Sequence, residues 1–402
     1  MYYRQPRYYS TFQCIGGSCI DNCCYGWRID WTKEEVDKVK NAENITPELK
    51  ELVETSFVPN KKFEGKYMIN FSEKRVCPFQ TAERLCLIQK ELGAEYLSHT
   101  CTIFPRRKLD VPNHTYRFMS MSCREIIRRL LLEENSCDLI NVGGSEKFDK
   151  SNVKFTSDVL AKRPEIEYYS EIFEFYYELI SDKKIPVETA MILGALAAQK
   201  LTELVGKKQQ DRIPEALKAF RKQFHNPEQL KTIENIKPNY YLKLGFMSEL
   251  MEKIIRGGMT PLLHDSTGTL NIDRYNKGEK NLEEALKGHE FFLRNLALNL
   301  LFEFDVPFEF EEKTMFENYS LFAVAYGLLK LNLIATCCSG EHNIAYTTYD
   351  QKVVYSGEDK LIGITAMICR SICQDNDKAR VIIGLLDNYN FTTPAYLALL
   401  IK

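Results

Sequence analysis

The sequence predicts a mainly α-helical protein: an α+β, loop-rich, cysteine-clustered part at the N-terminus, followed by an all-helical domain. Three observations carry this. Ile166, Tyr169, Ile172, Phe173, Tyr176 and Ile180 recur at helical spacing and form an apolar stripe of four turns, with long helical patterns beyond it. Upstream, only short alternations occur, Trp27-Ile29-Trp31 and Tyr67-Ile69-Phe71, each fitting one short strand. Of the 13 cysteines, eight fall in the first 123 residues; an even spread would place about four there.

Each element has a local reason. Thr32-Lys33-Glu34-Glu35 fits a capping box at the head of a short helix. Thr46-Pro47-Glu48 opens another, with proline at its first helical position. A third covers Glu83 to Leu92 and stops at Gly93, and Ser122-Cys123-Arg124-Glu125 heads a fourth through about Glu133. Residues 138–155 are polar, contain Gly143-Gly144 and read as a linker. Pro186 opens the next helix, and helical patterns continue at 213–224, 227–256, 282–303, 317–336, 360–373 and 376–387. A chain of 402 residues exceeds what one core usually serves. The division is a cysteine-rich domain at 1–140, a linker at 141–155 and a helical domain at 156–402.

Composition excludes several classes. Hydrophobic residues at 45% and charged residues at 27% describe a globular chain rather than a disordered one. Fifty-three basic against 55 acidic residues give a net charge of −2, with no global pull toward nucleic acid or an anionic membrane. No apolar run is read as reaching the roughly 18–20 residues that span a bilayer. The opening Met1-Tyr2-Tyr3-Arg4-Gln5-Pro6 is not a signal peptide, so a cytoplasmic location is expected.

In a reducing compartment, clustered thiols point to metal rather than to disulfides. Cys14-x4-Cys19-x3-Cys23-Cys24 offers three or four thiolates to one centre, on loops that Gly16, Gly17 and Gly26 can wrap around an ion. Zinc and iron–sulfur clusters both take soft sulfur ligands. Cys77, Cys86, Cys101 and Cys123 must join through tertiary folding. At a first helical position, Cys123 would have its thiolate favoured by free backbone N–H groups. Seven Lys/Arg against two acids between residues 101 and 130 make a basic patch that balances thiolates, holds a carboxylate or faces solvent. Cys137, Cys337, Cys338, Cys369 and Cys373 read as small core residues.

Phe12-Gln13-Cys14, Cys19, Cys23-Cys24-Tyr25-Gly26-Trp27, Cys77-Pro78-Phe79 and Leu85-Cys86-Leu87-Ile88 together resemble the flagellin lysine-N-methylase family. Leu97-Ser98-His99-Thr100-Cys101-Thr102-Ile103-Phe104-Pro105-Arg106, Ser122-Cys123 and the helix from His289 through Asn295 and Asn299 to Phe302 extend the resemblance. The cysteine order is also similar to a broader CxxCxxCC-type zinc- or iron-chelating family, although the first spacings here are wider. The resemblance implies methyl transfer from S-adenosylmethionine to lysine ε-amines of flagellin, with a [4Fe–4S] cluster. Its ligands would come from Cys14, Cys19, Cys23, Cys24, Cys77, Cys86, Cys101 and Cys123, with preference for Cys19, Cys23, Cys86 and Cys101.

Amine methylation needs a neutral lysine, hence a base or desolvation. His99, Tyr8 and Tyr9 are the candidates in the cysteine-rich part, and Arg106 and Arg107 could hold the methionine carboxylate of the donor. Trp27 and Trp31 read as core. No G-x-G-x-x-G loop supports a Rossmann-type core, and CxxxCxxC is broken by Gly26. A zinc-stapled binding module and an iron-chelating protein without transferase activity are the competing readings.

Overall fold

The computed structural model describes residues 2–24, 29–61, 63–71, 76–112, 114–143, 154–255, 260–338, 343–348, 351–373 and 376–402. Within these, the N-terminal part runs β1 (Tyr2–Pro6), α1 (Arg7–Thr11), β2 (Asp30–Thr32), α2 (Lys33–Lys40), α3 (Pro47–Ser56), β3 (Phe57–Pro59) and β4 (Lys66–Ile69). It continues through α4 (Leu87–Leu92), α5 (His99–Ile103), β5 (Arg106–Val111), β6 (His114–Met119), α6 (Arg124–Leu132) and β7 (Leu139–Gly143). The helical part then begins with α7 (Ser157–Lys162), α8 (Tyr169–Ser181), α9 (Val187–Gly206), α10 (Ile213–Arg221), α11 (Pro227–Glu234) and α12 (Tyr240–Ile254). After α13 (Ile272–Ala285), α14 (Phe292–Glu303) and α15 (Met315–Cys338) comes a hairpin of β8 (Asn343–Thr348) and β9 (Gln351–Ser356). The chain closes with α16 (Glu358–Ile372), α17 (Asn376–Asn388) and α18 (Pro394–Ile401).

The fold is mainly helical with an α+β N-terminal part, as the sequence predicts. Thr32 and Glu35 form the expected capping box, and Thr46 caps α3 through the Leu49 N–H. Gly93 ends α4 at φ 107°, but the helix begins at Leu87 rather than Glu83. Arg84 takes a left-handed φ of 62° and Gln80 bridges Cys86, so residues 80–86 make a turn instead. Pro238 divides the long pattern at 227–256, with Asn239 capping α12 through the Leu242 N–H. The strand expected at Trp27-Ile29-Trp31 is observed from Asp30; Trp27 lies outside the described residues. Residues 141–143, read from composition as linker, pair with β1, while 144–153 lie outside the described residues. The β8–β9 hairpin and α18 have no counterpart among the sequence patterns.

Two cores result. The smaller gathers Ile29, Trp31, Val36, Val39, Leu49, Val53, Phe57, Ile69, Phe79 and Ile88 beneath the antiparallel sheet β2-β4-β3. The four-stranded sheet β5-β6-β1-β7 instead shares the large core of the helical part, through residues such as Leu109, Tyr116 and Phe118. At its centre runs α15, which is long and apolar enough to cross a membrane. The sequence expectation that no apolar run is long enough to span a bilayer is corrected here; 89% of the most apolar window of this helix is buried inside the protein, as the core helix of a bundle is.

One face of α14 joins the sheet to the bundle. Asn295, Asn299 and Glu303 follow one another at four-residue spacing and are all buried. Asn295 donates its amide to the Leu130 carbonyl (3.0 Å), the Glu133 carbonyl (3.3 Å) and the Ser136 hydroxyl (3.3 Å), covering the end of α6. Asn299 accepts from the buried Tyr8 hydroxyl and donates to the Met119 carbonyl (3.2 Å). Glu303 accepts from the Met121 N–H (2.5 Å) and from Arg107 (3.1 Å).

Removing that acceptor tests the seam. Glu303→Leu leaves the buried Met121 N–H unsatisfied and should cost about 1–3 kcal/mol. Glu303→Gln, which keeps an acceptor, should cost less; urea midpoints of the two variants check the order.

Lys243 offers a second test. It is fully buried on α12, with Nζ 3.3 Å from the Tyr275 hydroxyl, and burial lowers its pKa to about 7, with nearby Lys330 adding to the shift. Glu279 and Glu188 pull the other way. Above pH 7 the folded chain releases a proton that the unfolded chain keeps until the ordinary lysine pKa of about 10.4, so this residue makes stability rise with pH across that window. Below pH 7 its cost is complete. Lys243→Met should raise the melting temperature at pH 7 and flatten its climb between pH 7 and 9.

Candidate functional site

The cysteines meet where the two cores adjoin. Cys77 belongs to the small core, with Cys24, Cys86 and Cys101 packed at its edge, whereas Cys123 packs against the large one. Between them lies the Cys19–Cys24 loop. Its entry depends on glycine: Gly16 takes φ 55°, and a Cβ on Gly17 would collide with the Glu83 carbonyl. The Cys77 N–H donates to the Cys24 carbonyl (2.9 Å), pinning the second cysteine segment to the first. Asn22 fastens the same point, its side-chain oxygen accepting from the Cys24 N–H (2.9 Å) and the Gln80 amide (3.0 Å). Ser98 caps α5 by accepting from the Cys101 N–H (3.1 Å).

Cys23 is the common neighbour. The thiols of Cys24, Cys77, Cys86, Cys101 and Cys123 each interact electrostatically with it, and Cys123 also with Cys19. A hydrogen bond from Cys24 holds Cys23 below the ordinary thiol range and drives Cys24 above it. Burial pushes Cys101 up to about 11 and Cys77 to about 12. Cys123 does not behave as its helix position predicts. It stands at the N-cap of α6, without a side-chain cap bond, and burial lifts it to about 12 against the pull of the Ile126 and Glu125 N–H groups. Desolvation outweighs the helix terminus at that sulfur. Cys14 is exposed, with its sulfur accepting from the Gly16 N–H (3.4 Å).

All thirteen cysteines are free thiols. Among the described residues, no three Cys, His, Asp or Glu side chains are grouped as a set able to hold a metal ion; the thiols gather without converging on one point. The chemistry of the set nevertheless suits a soft, thiolate-bound group. In the same loop the buried Asn22 amide nitrogen has no hydrogen-bond partner among the described residues, a donor of the kind that supports thiolate centres from outside. Arg124 and Arg370 supply positive charge beside Cys19.

The other sequence candidates fall in different places. Tyr8 is fully buried, bonded to Asn299 and to the Met119 N–H, and burial raises it well above the ordinary phenol range. Tyr9 is half-buried against the large core. His99 is exposed at the start of α5, two residues before Cys101, its backbone N–H donating to Glu35 (2.7 Å). Arg106 lies over the Phe12 ring at 5.4 Å, whereas Arg107 is engaged by Glu303 and the Phe118 ring. Much of the basic patch is committed to ties within the fold: Lys108 to Asp110, Arg124 to Asp359, Arg128 to Glu125, Arg129 to Thr11 and Glu133. Cys137, Cys338 and Cys369 are buried in the large core. Nothing local in the sequence marks Asp21, Asn22 or Arg370, because Asn22 meets Gln80 and Asp21 meets Arg370 only through tertiary folding. Asn295, Asn299 and Glu303 did leave a signal, the four-residue polar spacing on an otherwise apolar helix.

Comparison with known proteins bears on this arrangement. The family model of the FliB lysine N-methylase C-terminal domain matches residues 173–400. The flagellar biosynthetic protein FliU of Salmonella muenchen is 30% identical over 155 residues, covering 37% of this chain and 86% of that protein. Lysine-N-methylases of Salmonella typhimurium and Salmonella choleraesuis are each 30% identical over 141 residues, 34% of this chain and 34% of each relative. No solved structure matches at comparable stringency. With more than half its length inside the family's own domain, the chain belongs to the FliB lysine N-methylase family.

Proposed function

We propose that this chain is a protein-lysine N-methyltransferase that takes methyl groups from S-adenosylmethionine to the ε-amines of flagellin, with a thiolate-bound [4Fe–4S] centre. The observation that carries the reading is the gathering of five further N-terminal thiols around Cys23 and its neighbour Cys123, in a chain of this family. The names of the relatives, a flagellar biosynthetic protein and lysine-N-methylases, support the reaction and the flagellar substrate. Thirteen unpaired cysteines suit the reducing cytoplasm.

Four of Cys23, Cys24, Cys77, Cys86 and Cys101 would hold the centre, with Cys19 and Cys123 beside them. When bound, such a centre supplies soft iron and a one-electron couple. The chain's own task is to take a proton from the substrate ammonium, which has no lone pair until it is lost. His99 is the candidate best placed for this, exposed to an incoming peptide and on the same short helix as Cys101. Tyr8 serves the seam instead. Arg106, at the surface beside Phe12, is better placed than Arg107 to receive the donor's carboxylate.

Protein purified without oxygen should contain about four iron and four sulfide per chain. It should add methyl groups to flagellin lysines only when S-adenosylmethionine is present, and Cys23→Ala and Cys86→Ala should empty the centre. Stoichiometric zinc without sulfide would replace the reading with a zinc-stapled binding module; a loaded centre without methylation would overturn the activity.

A further inference from the structure

Arg370 stands near the end of α16, in the helical part, yet three of its hydrogen bonds reach the cysteine-bearing segments. Nη1 donates to the Asp21 carboxylate (2.5 Å), Nη2 to the Asp21 carbonyl (3.1 Å) and Nε to the Ser122 carbonyl (2.9 Å). Asp21 is buried and lies two residues from both Cys19 and Cys23; Ser122 immediately precedes Cys123. One planar fork therefore spans two chain segments that are a hundred residues apart in sequence and that both present thiols. A lysine ammonium cannot address three oxygens in that fixed plane. At the other end of α16, Asp359 receives Arg124, the first residue of α6 after Cys123. Eleven residues separate positions 359 and 370, about 16 Å along the axis, so α16 is tied to the cysteine part at both ends.

We infer that Arg370 is a positioning residue: α16 sets the Cys19–Cys24 loop against Cys123 through it, so the thiol site takes its shape from the docked helical part. Its consequence for a bound centre rests on the function proposed above; its effect on the thiols does not.

The test uses the full chain purified without oxygen, as wild type, Arg370→Gln, Arg370→Lys and Asp21→Asn. Timed iodoacetamide labelling is read cysteine by cysteine by mass spectrometry, with iron, zinc and sulfide content measured on the same material. Arg370→Gln should label Cys19 and Cys123 at least several-fold faster while Cys137 and Cys369, in the helical core, keep their wild-type rates. Arg370→Lys should fall between, and Asp21→Asn combined with Arg370→Gln should add nothing further. Unchanged rates at Cys19 and Cys123 would overturn the inference, and so would a parallel rise at Cys137 and Cys369, which would mean general loosening. Faster labelling at Cys19 and Cys123 in a wild-type background that holds neither iron nor zinc would uphold the positioning role and sink the metal-centre reading alone.

Discussion

The polar stripe of α14 is the interaction on which the arrangement depends. An apolar helix face would satisfy the bundle, but it would leave the end of α6, the Met119 carbonyl, the Met121 N–H and the donor proton of the Tyr8 hydroxyl without partners in a dry interior. Asn295, Asn299 and Glu303 supply these partners at successive turns, each to a different part of the N-terminal sheet unit. Because each contact is directional, the stripe fixes rotation and register as well as proximity. The sheet β5-β6-β1-β7 is accordingly a wall of the helical core rather than a separate body, and only the small sheet with its own core projects from it.

That placement explains where the thiols lie. A site inside either core would be closed to ligands, and one on an open surface would leave thiolates to solvent and oxidants. The boundary between the cores half-buries most of the cysteines, while Cys14 and Cys23 stay exposed. Burial raises most of the sulfurs, which keeps them protonated in the absence of a partner charge. A cation or cluster entering there would release those protons, so uptake of a soft metal would be coupled to proton release by the surroundings themselves. The guanidinium of Arg370 and the amide of Asn22 lie at the rim of the same group.

Much of this was legible in the sequence, and the limits are physical. Helices with strong stripes or caps, such as α2, α3, α8 and α9, could be read directly because their signals are local. The helix expected from Glu83 was shortened because a left-handed Arg84 and a bridge from Gln80 to Cys86 claim those residues, a tertiary effect with no periodic trace. The eight cysteines were visible as a group, yet the centrality of Cys23 was not, since it arises from four segments brought together by folding. The basic patch illustrates the converse. Its charge was evident, while its use in ties such as Arg124 to Asp359 and Arg107 to Glu303 required the partners to be seen.

The family match covers the helical part, whereas the distinctive chemistry lies in the N-terminal cysteines. The ties across the boundary reconcile the two. Glu303, Asp359 and Arg370 all belong to the matched region, and they hold, respectively, the turn before Cys123, the helix after it and the loop of Cys19 and Cys23. A bundle that only presented a substrate-binding face would have no reason to commit a buried carboxylate and a bridging guanidinium to the cysteine segments, because buried charges are costly unless their partners are fixed. The helical part is therefore best understood as the frame on which the thiol site is assembled, and substrate recognition, where it occurs, as a further use of that frame.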